Sequence, residues 1–518
     1  MKLLFASVLL ALNTAAALAG PLDRIQGLGK DRENLTPQQL TDRMDRLMQA
    51  SEFWLLRRNL ALEAPGRIFY PANWAMFQAA GAEYGADPYM IAALAFVESY
   101  GNPTARSPTG PLGIMQFTKA RGQECGLRQY ATRQRVEEEK LVWKGRGKNR
   151  RQVLEIRTRS FNVTVDERLD PEKSVNAAAR CLAQAYRRFG RWDFAIQEHH
   201  NGNGRIRKMI QLYTGEGKIT DKNVGQIIAR HNLTFAHVLF GNTPYFRPKL
   251  FEYLEDIRMT ADFAPTYSPR VFQAMALLKQ YQQSPAAYLA RFNAYRSLFK
   301  DDLEASNRMW YFFKPEDVPT MQFASLQQVM DAGRSGRLVP LPEPWEDHGI
   351  VPRLTGKSPI AEKDMANQRE YIRADMATVG SLLYVMNELR LLQGQKFEAY
   401  ETNSLVRTTQ TQEALLKDPG TKASSVLRTH EWGKAFDVPV LDMDKDRQRD
   451  LLFILTELDS YGLISFVPEH ALVGKGRRRK ALLTTYHVVP HPSESARFER
   501  AYSQAVGYTI TTTSTTKQ

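Results

Sequence analysis

Between Pro71 and about Tyr295, apolar residues recur at helical spacing, as at Ala177, Cys181, Ala185 and Phe189, in a background rich in Ala, Leu, Arg and Gln. That pattern predicts a run of α-helices. One helix stands out. Asp87-Pro88 supplies an N-cap acid and a proline at the first helical position. Met90 to Val97 is then apolar on nearly every face, so this helix should be buried. It ends at Glu98-Ser99, before Gly101-Asn102-Pro103. Residues 20–70 are polar and helix-prone and read as a peripheral extension. Residues 299–367 carry more Pro, Gly and Asp and read as a linker with some local structure. From residue 368 the texture changes: a helical stretch, Arg373 to Leu391, leads into Ala435–Val440, Leu463–Val467 and Thr484–Val489, which have strand character. The mixture predicts a smaller α+β domain over 368–503 after a mainly α domain over 71–298. The Thr-rich end, residues 504–518, is expected to be a disordered tail.

Length and composition fit this division. A chain of 518 residues is too long for one ordinary core. Its 43% hydrophobic and 24% charged residues are a globular balance. The first 19 residues read as a signal peptide: Lys2, an apolar run from Leu3 to Leu12, and the small-residue site Ala17-Leu18-Ala19 before Gly20. The protein is therefore expected to be exported, to a periplasm or beyond, with no transmembrane segment after cleavage. The two cysteines, Cys125 and Cys181, then lie in an oxidising compartment, where one disulfide is possible; two buried free thiols are the alternative. A net charge of +14 suits an anionic partner such as peptidoglycan or a lipid surface, and export argues against nucleic acid. The basic runs 144–151 and 475–480 read as solvated loops.

A carboxylate at the end of a buried apolar helix is costly unless it is used or paired. Burial raises its pKa and keeps it protonated near neutral pH, the property of a general acid. The alternative for Glu98 is a structural acid at a helix terminus. The residues around it resemble a family signature. Glu98-Ser99, Asn102-Pro103, Ala105, Ser107, Gly110 and Gly113-Ile114-Met115-Gln116, then Asp170-Pro171, then Glu198-His199-His200-Asn201-Gly202-Asn203-Gly204-Arg205-Ile206, follow the order and spacing of soluble-type lytic transglycosylases. The resemblance covers about a quarter of the chain. It implies a lysozyme-like α-helical fold, with peptidoglycan glycan strands as substrate and no cofactor. It also implies cleavage of the MurNAc–GlcNAc β-1,4 bond to a 1,6-anhydro-MurNAc end. Glu98 would be the single acid/base, assisted by the substrate's own N-acetyl group. Ser99 would orient Glu98 or that acetamido group. Met115, Gln116, His199, His200 and Asn201 would bind sugar. His199-His200 stand where the family carries Tyr-Asn. In such a fold the elements bearing Cys125 and Cys181 pack together, so a bond between them is expected.

The C-terminal region holds a second constellation. His430-Glu431-Trp432-Gly433-Lys434-Ala435-Phe436-Asp437 reads His-x-x-Gly-x-Ala-x-Asp, and His487 follows. Two imidazoles and a carboxylate make three legs of a zinc site with one open position. Upstream lies Ser404-Leu405-Val406-Arg407-Thr408. This order resembles the zinc D-Ala-D-Ala carboxypeptidase and D,D- or L,D-peptidase family. The resemblance implies His430, Asp437 and His487 as Zn2+ ligands, Arg407 as a substrate residue and stem peptides as partners. The family's general-base Glu precedes the last His by three residues; here that position is Thr484, which cannot serve, so Glu469, the nearest upstream acid, is the expected catalytic base. A non-metal core with packed histidines is the alternative. Two function classes follow: a two-headed murein hydrolase, or a wall-binding scaffold that keeps both folds and has lost catalysis.

Overall fold

The structure, a computed structural model, describes residues 35–56, 58–144, 151–260, 266–298, 322–353, 365–403, 405–417, 429–473 and 480–515. The expected signal peptide and the tips of both basic runs lie outside them. The first helices and strands are α1 (Pro37–Leu56), α2 (Leu60–Ile68), α3 (Pro71–Tyr84), α4 (Pro88–Ser99), α5 (Lys119–Glu124), β1 (Gln129–Lys144), β2 (Arg151–Asp166), α6 (Pro171–Phe189) and α7 (Trp192–Thr214). Then come α8 (Val224–Arg230), α9 (Phe235–Phe240), α10 (Pro248–Thr260), α11 (Tyr267–Gln283) and α12 (Pro285–Leu298). The C-terminal part holds α13 (Leu326–Arg334), β3 (Val339–Pro340), β4 (Ile350–Pro352), β5 (Arg373–Ala374), α14 (Met376–Gln393), β6 (Tyr400–Thr402), α15 (Thr409–Lys417), β7 (Phe436–Pro439), α16 (Lys445–Ser460), β8 (Ile464–Val473), β9 (Lys480–Pro490) and α17 (Ser495–Thr515). The chain divides into a smaller unit, 59–202 with 270–289, and a larger unit formed by the remainder.

In the smaller unit α4 is central and packs against α2, α3 and α6. Met90 to Phe96 are all buried, as the unbroken apolar run requires. The helix starts where the Asp87 carboxylate accepts from the Tyr89 N–H at 2.8 Å, and it stops at Tyr100, whose φ is 54°. Helix α6 repeats the device: Asp170 accepts from Lys173 N–H, Pro171 follows, and Gly190 closes the helix at φ 72°. A cap of this kind contributes about 1 kcal/mol. Cys125 and Cys181 form a disulfide, Cα atoms 5.7 Å apart, that ties the end of α5 to α6.

Residues 129–166 correct the expectation of unbroken helix. They form a two-stranded antiparallel ribbon, β1 against β2, in register from Gln129–Asp166 to Lys144–Arg151. Its many Arg, Glu and Gln residues suit a helix by composition, but Phe161, Val163 and Val165 alternate with polar residues at the period of a strand.

In the larger unit α14 packs against α16, α17 and the three-stranded sheet, whose order is β7-β9-β8 and whose strands are antiparallel. A Cβ on Gly380 would lie 1.8 Å from the Phe498 carbonyl oxygen, so only glycine lets α14 and α17 approach this closely. Two boundaries move. Residues 322–353, expected as linker, are built into this unit: β3 pairs with β5, β4 pairs in parallel with β6, and Val339, Leu341 and Ile350 join its core. The expected tail over 504–518 is instead helical to Thr515, because the helix is already seated on α14 through Phe498. Among the described residues no helix is long and apolar enough to cross a membrane.

Candidate functional site

Glu98 sits on the last turn of α4. It is half-buried, where the sequence suggested a sealed carboxylate, so it keeps a route to a substrate. Ser99 behind it is buried, and its hydroxyl is committed to backbone. It donates toward the carbonyls of Ile114 (2.8 Å) and Ala95 (3.2 Å) and accepts from the Asn102 N–H (3.1 Å). What Ser99 fixes is therefore the 113–117 loop against the helix end. Gln116 has a φ of 47°, and its amide donates to the Gly113 and Ala105 carbonyls at 2.9 and 3.2 Å, closing the loop on itself. Met115, expected in the sugar groove, is instead 0% exposed: its apolar side chain belongs to the core beneath the loop.

The same loop meets α7. The His199 ring stands edge-on to Phe117, centroids 5.4 Å apart. Burial, then the positive charge of Arg121 and then His200, push the His199 pKa down to about 3, with only the Met115 backbone opposing. His199 is thus a neutral imidazole at ordinary pH, a hydrogen-bonding group as the family's Tyr would be. The next two residues divide: His200 is exposed and Asn201 is buried. Gly202, φ 74° and ψ 153°, then interrupts α7.

Sequence reading missed two groups. Glu198 stands where the family carries a small residue, yet it is 2% exposed. Arg121 at 3.1 Å and Arg188 both pair with it, which meets the requirement that a buried charge be compensated. Arg168, also buried, donates to the Phe117 and Gly110 carbonyls at 3.1 and 3.3 Å and is itself held by Asp166 at 2.7 Å. It clamps the loop from the base of the ribbon. The acid-arginine pair at the end of β2 was visible in the sequence; its distant carbonyl partners were not.

The comparisons with known proteins fall mainly on this unit. Residues 75–140 and 150–221 match the family described as Transglycosylase SLT domain. The N-terminal half of this chain carries a transglycosylase SLT domain. A stretch of 132 residues, 25% of this chain, is 33% identical to the peptidoglycan transglycosylase gp16 of Escherichia phage T7. Another of 152 residues, 28% of the chain, is 27% identical to the membrane-bound lytic murein transglycosylase F 2 of Alkalilimnicola ehrlichii. The matches span only 8% and 25% of those proteins' lengths, so the likeness is that of a domain. Of the unmatched residues 141–149, the described ones, 141–144, lie at the far end of β1.

In the larger unit, His430, Asp437 and His487 come together: one ligand atom from each lies within 4.8 Å of the others, and all three residues are buried. The sheet register produces this. Asp437 on β7 and His487 on β9 are direct cross-strand partners, so their side chains share a face. His487 Nδ1 is 2.7 Å and His430 Nε2 3.2 Å from Asp437 Oδ1. His430 Nδ1 faces the Leu405 carbonyl at 3.0 Å, which makes it the protonated nitrogen and turns the Nε2 lone pair toward the cluster. The Thr429 hydroxyl, which can donate or accept, lies 3.0 Å from His487 Nε2 and holds the second ring in place. Burial and then the Arg407 charge lower the His430 pKa to about 4, so it is neutral and able to ligate. Its Nε2 is enclosed and, among the described residues, makes no hydrogen bond, although Asp437 Oδ1 lies 3.2 Å away. A buried nitrogen of that kind, beside a second imidazole and a carboxylate, fits a zinc ion.

Arg407 lies on Asp437, Nη2 to Oδ2 at 2.6 Å, rather than facing a groove. Glu469 is half-buried on β8, opposite Thr485. By register it shares the face of His487, displaced two residues, or about 7 Å, along the strand. Thr484 is the unpaired residue of a β-bulge in β9, since Glu469 pairs with Thr485 and His470 with Leu483. Such bulges re-aim side chains beside functional sites.

Proposed function

We propose that the SLT domain is a lytic transglycosylase that cleaves the β-1,4 bond between MurNAc and GlcNAc in peptidoglycan and leaves a 1,6-anhydro-MurNAc end. The observation that carries this reading is Glu98: a half-buried carboxylate on the last turn of a fully buried helix, beside a loop held by Ser99, Gln116 and Arg168. Glu98 in its protonated form gives its proton to the glycosidic oxygen as the C1–O bond breaks. The resulting carboxylate takes the proton of the MurNAc C6 hydroxyl while that oxygen closes on C1. No water is consumed and Glu98 ends as it began. The neutral His199 offers hydrogen bonds to sugar without adding charge near the developing cation. A wall substrate places the working protein outside the cytoplasm.

For the larger unit the reading is a zinc-dependent murein peptidase directed at stem peptides. His430, Asp437 and His487 would hold the ion, which would supply Lewis acidity toward a peptide carbonyl. Leu405 sets the tautomer of His430, Thr429 positions the ring of His487, and Arg407 holds the second oxygen of Asp437. The competing reading, a wall-binding scaffold, is favoured for this unit by Thr484 in place of an acid.

Digestion of purified sacculi with the full chain, followed by muropeptide analysis, tests both readings. Anhydro-muropeptides are expected from the wild type. Glu98→Gln keeps the shape and removes the transferable proton, so release should fall by a factor on the order of 100 to 10,000. Near-normal release from Glu98→Gln removes Glu98 as the acid/base. Intact glycan with co-sedimenting wild-type protein favours the scaffold.

A further inference from the structure

A buried ion pair is a poor way to stabilise a core, because desolvation of the charges offsets their attraction and apolar residues of similar volume do as well. Where the family signature carries a small residue, this chain nevertheless sets Glu198, 2% exposed, between Arg121 at 3.1 Å and Arg188. Three helices meet at this carboxylate: Glu198 stands on α7, Arg121 on α5 and Arg188 on α6. Each of its oxygens is held by a different guanidinium, Oε1 by Arg121 and Oε2 by Arg188. What such a two-armed pair supplies is direction.

Both arms are fixed at their far ends. The Arg121 N–H donates to the Thr118 hydroxyl at 3.2 Å, one residue beyond Phe117, and Glu124 takes Arg121 Nη1 at 3.0 Å. Arg188 lies seven residues after Cys181, two turns along the same face of α6, and Cys181 is bonded to Cys125 at the end of α5. The next residue of α7, His199, meets the loop: its ring stands 5.4 Å from Phe117 and hydrogen-bonds to the Met115 backbone. These contacts close a circuit. From Glu198 the path runs through Arg121, Thr118 and Phe117 to the His199 ring, and one peptide bond returns it to Glu198. So short a circuit leaves α7 little freedom to roll or slide over the loop. Ser99 holds the other side of the same loop at Ile114, so the helix end bearing Glu98 and the helix bearing His199 are both set against one element.

We propose that Glu198 is a positioning residue for the transglycosylase reaction: paired with Arg121 and Arg188, it holds α7 so that the His199 imidazole meets the sugar beside Glu98. Sealed from solvent, Glu198 acts on the substrate only through its neighbour. The inference rests on the reading of Glu98 and His199 given above and adds to it a residue that this chain places where the family has none of its kind.

The test is a double-mutant cycle in the full chain, read as kcat and KM for anhydro-muropeptide release from soluble glycan strands. Glu198→Ala should lower kcat about 100-fold, the cost of a displacement of about 1 Å, and change KM by less than about threefold. In a His199→Ala background, itself impaired, the same substitution should cost less than about threefold, because the group it positions is gone. A purely structural Glu198 would cost the same factor in both backgrounds. Glu198→Gln keeps the volume and loses the charge; it carries the same comparison if the alanine variant does not fold, with a loss of about tenfold expected, that of one charge-assisted hydrogen bond. The proposal is overturned if the Glu198 variants turn over as the wild type does, or if their loss is undiminished in the His199→Ala background. Glu98→Gln, measured in parallel, separates this from failure of the underlying reading. A wild type that releases no anhydro product, or a Glu98→Gln variant that still releases it, overturns that reading and the proposal with it.

Discussion

Gly113→Ala is the sharpest test of how the loop beside Glu98 is held. Gly113 has a φ of +79°, and a Cβ there would stand 1.8 Å from the Arg168 carbonyl oxygen. Real Cβ contacts essentially never fall under 3.0 Å, so the loop and the Arg168 turn must separate by at least 3.0 − 1.8 = 1.2 Å. Neither side yields freely. Arg168 is anchored by Asp166 and grips the Gly110 and Phe117 carbonyls, and Ser99 grips Ile114 from the other side. The strained backbone alone costs about 1–3 kcal/mol, and lost hydrogen bonds at the clamp add about 1 kcal/mol each. Displacement by about 1 Å beside an acid/base group lowers turnover on the order of 100-fold. Urea titration of the full chain should therefore show a transition destabilised by about 2–4 kcal/mol. Release of anhydro-muropeptides from sacculi should fall about 100-fold. A variant with the wild-type midpoint and the wild-type rate would refute this account of the loop, whatever the chemistry of Glu98 proves to be.

Opening the Cys125–Cys181 bond by Cys181→Ser releases a segment spanning a sequence separation of 56 residues. The chain-entropy limit for such a loop is about 4 kcal/mol, to be read as a lower unfolding midpoint that reductant reproduces in the wild type. Acid should also weaken the smaller unit through His199. Its folded pKa of about 3 lies below the unfolded value near 6.5, so the unfolded chain binds the extra proton. The contribution is complete above about pH 6.5 and is lost as pH falls toward 3, at no more than about 1.4 kcal/mol per pH unit. His199→Gln should flatten that part of the stability-pH curve, and an unchanged slope would show that other groups carry it. For the larger unit, zinc at about a hundredfold over its dissociation constant should stabilise by about 2.7 kcal/mol in a thermal shift assay. His430→Ala and His487→Ala should abolish the shift; a shift that survives both would place the ion elsewhere.

The sequence by itself determined the parts of both sites that are encoded within a turn or two of chain. Asp87-Pro88 starts α4, the apolar run buries it, and Glu98 emerges at its end, all from neighbours in sequence. His430, Asp437 and His487 were named from the order of a motif and its resemblance to a family, and the Cys125–Cys181 bond from the fold that the first resemblance implies. Tertiary structure decided which of the candidate residues face a site. Met115 sits between two loop residues that look equally available, but the tight turn at Gly113 and the packing beneath it send its side chain into the core. Arg407 reads as a free cation in sequence and lies on Asp437 because its backbone, in the loop between β6 and α15, is tied to His430. The ribbon at 129–166 was misread because its charged residues suit helix and strand alike, and only pairing with a partner strand settles such a segment. The same holds for 322–353: β4 gains its hydrogen bonds from β6, some fifty residues downstream, and no local pattern records that partner. Convergence at Asp437 likewise depends on a register between strands that the chain brings together from fifty residues apart. Caps and periodicity are local physics and can be read along the chain, whereas burial, register and ion pairing depend on which distant segments meet.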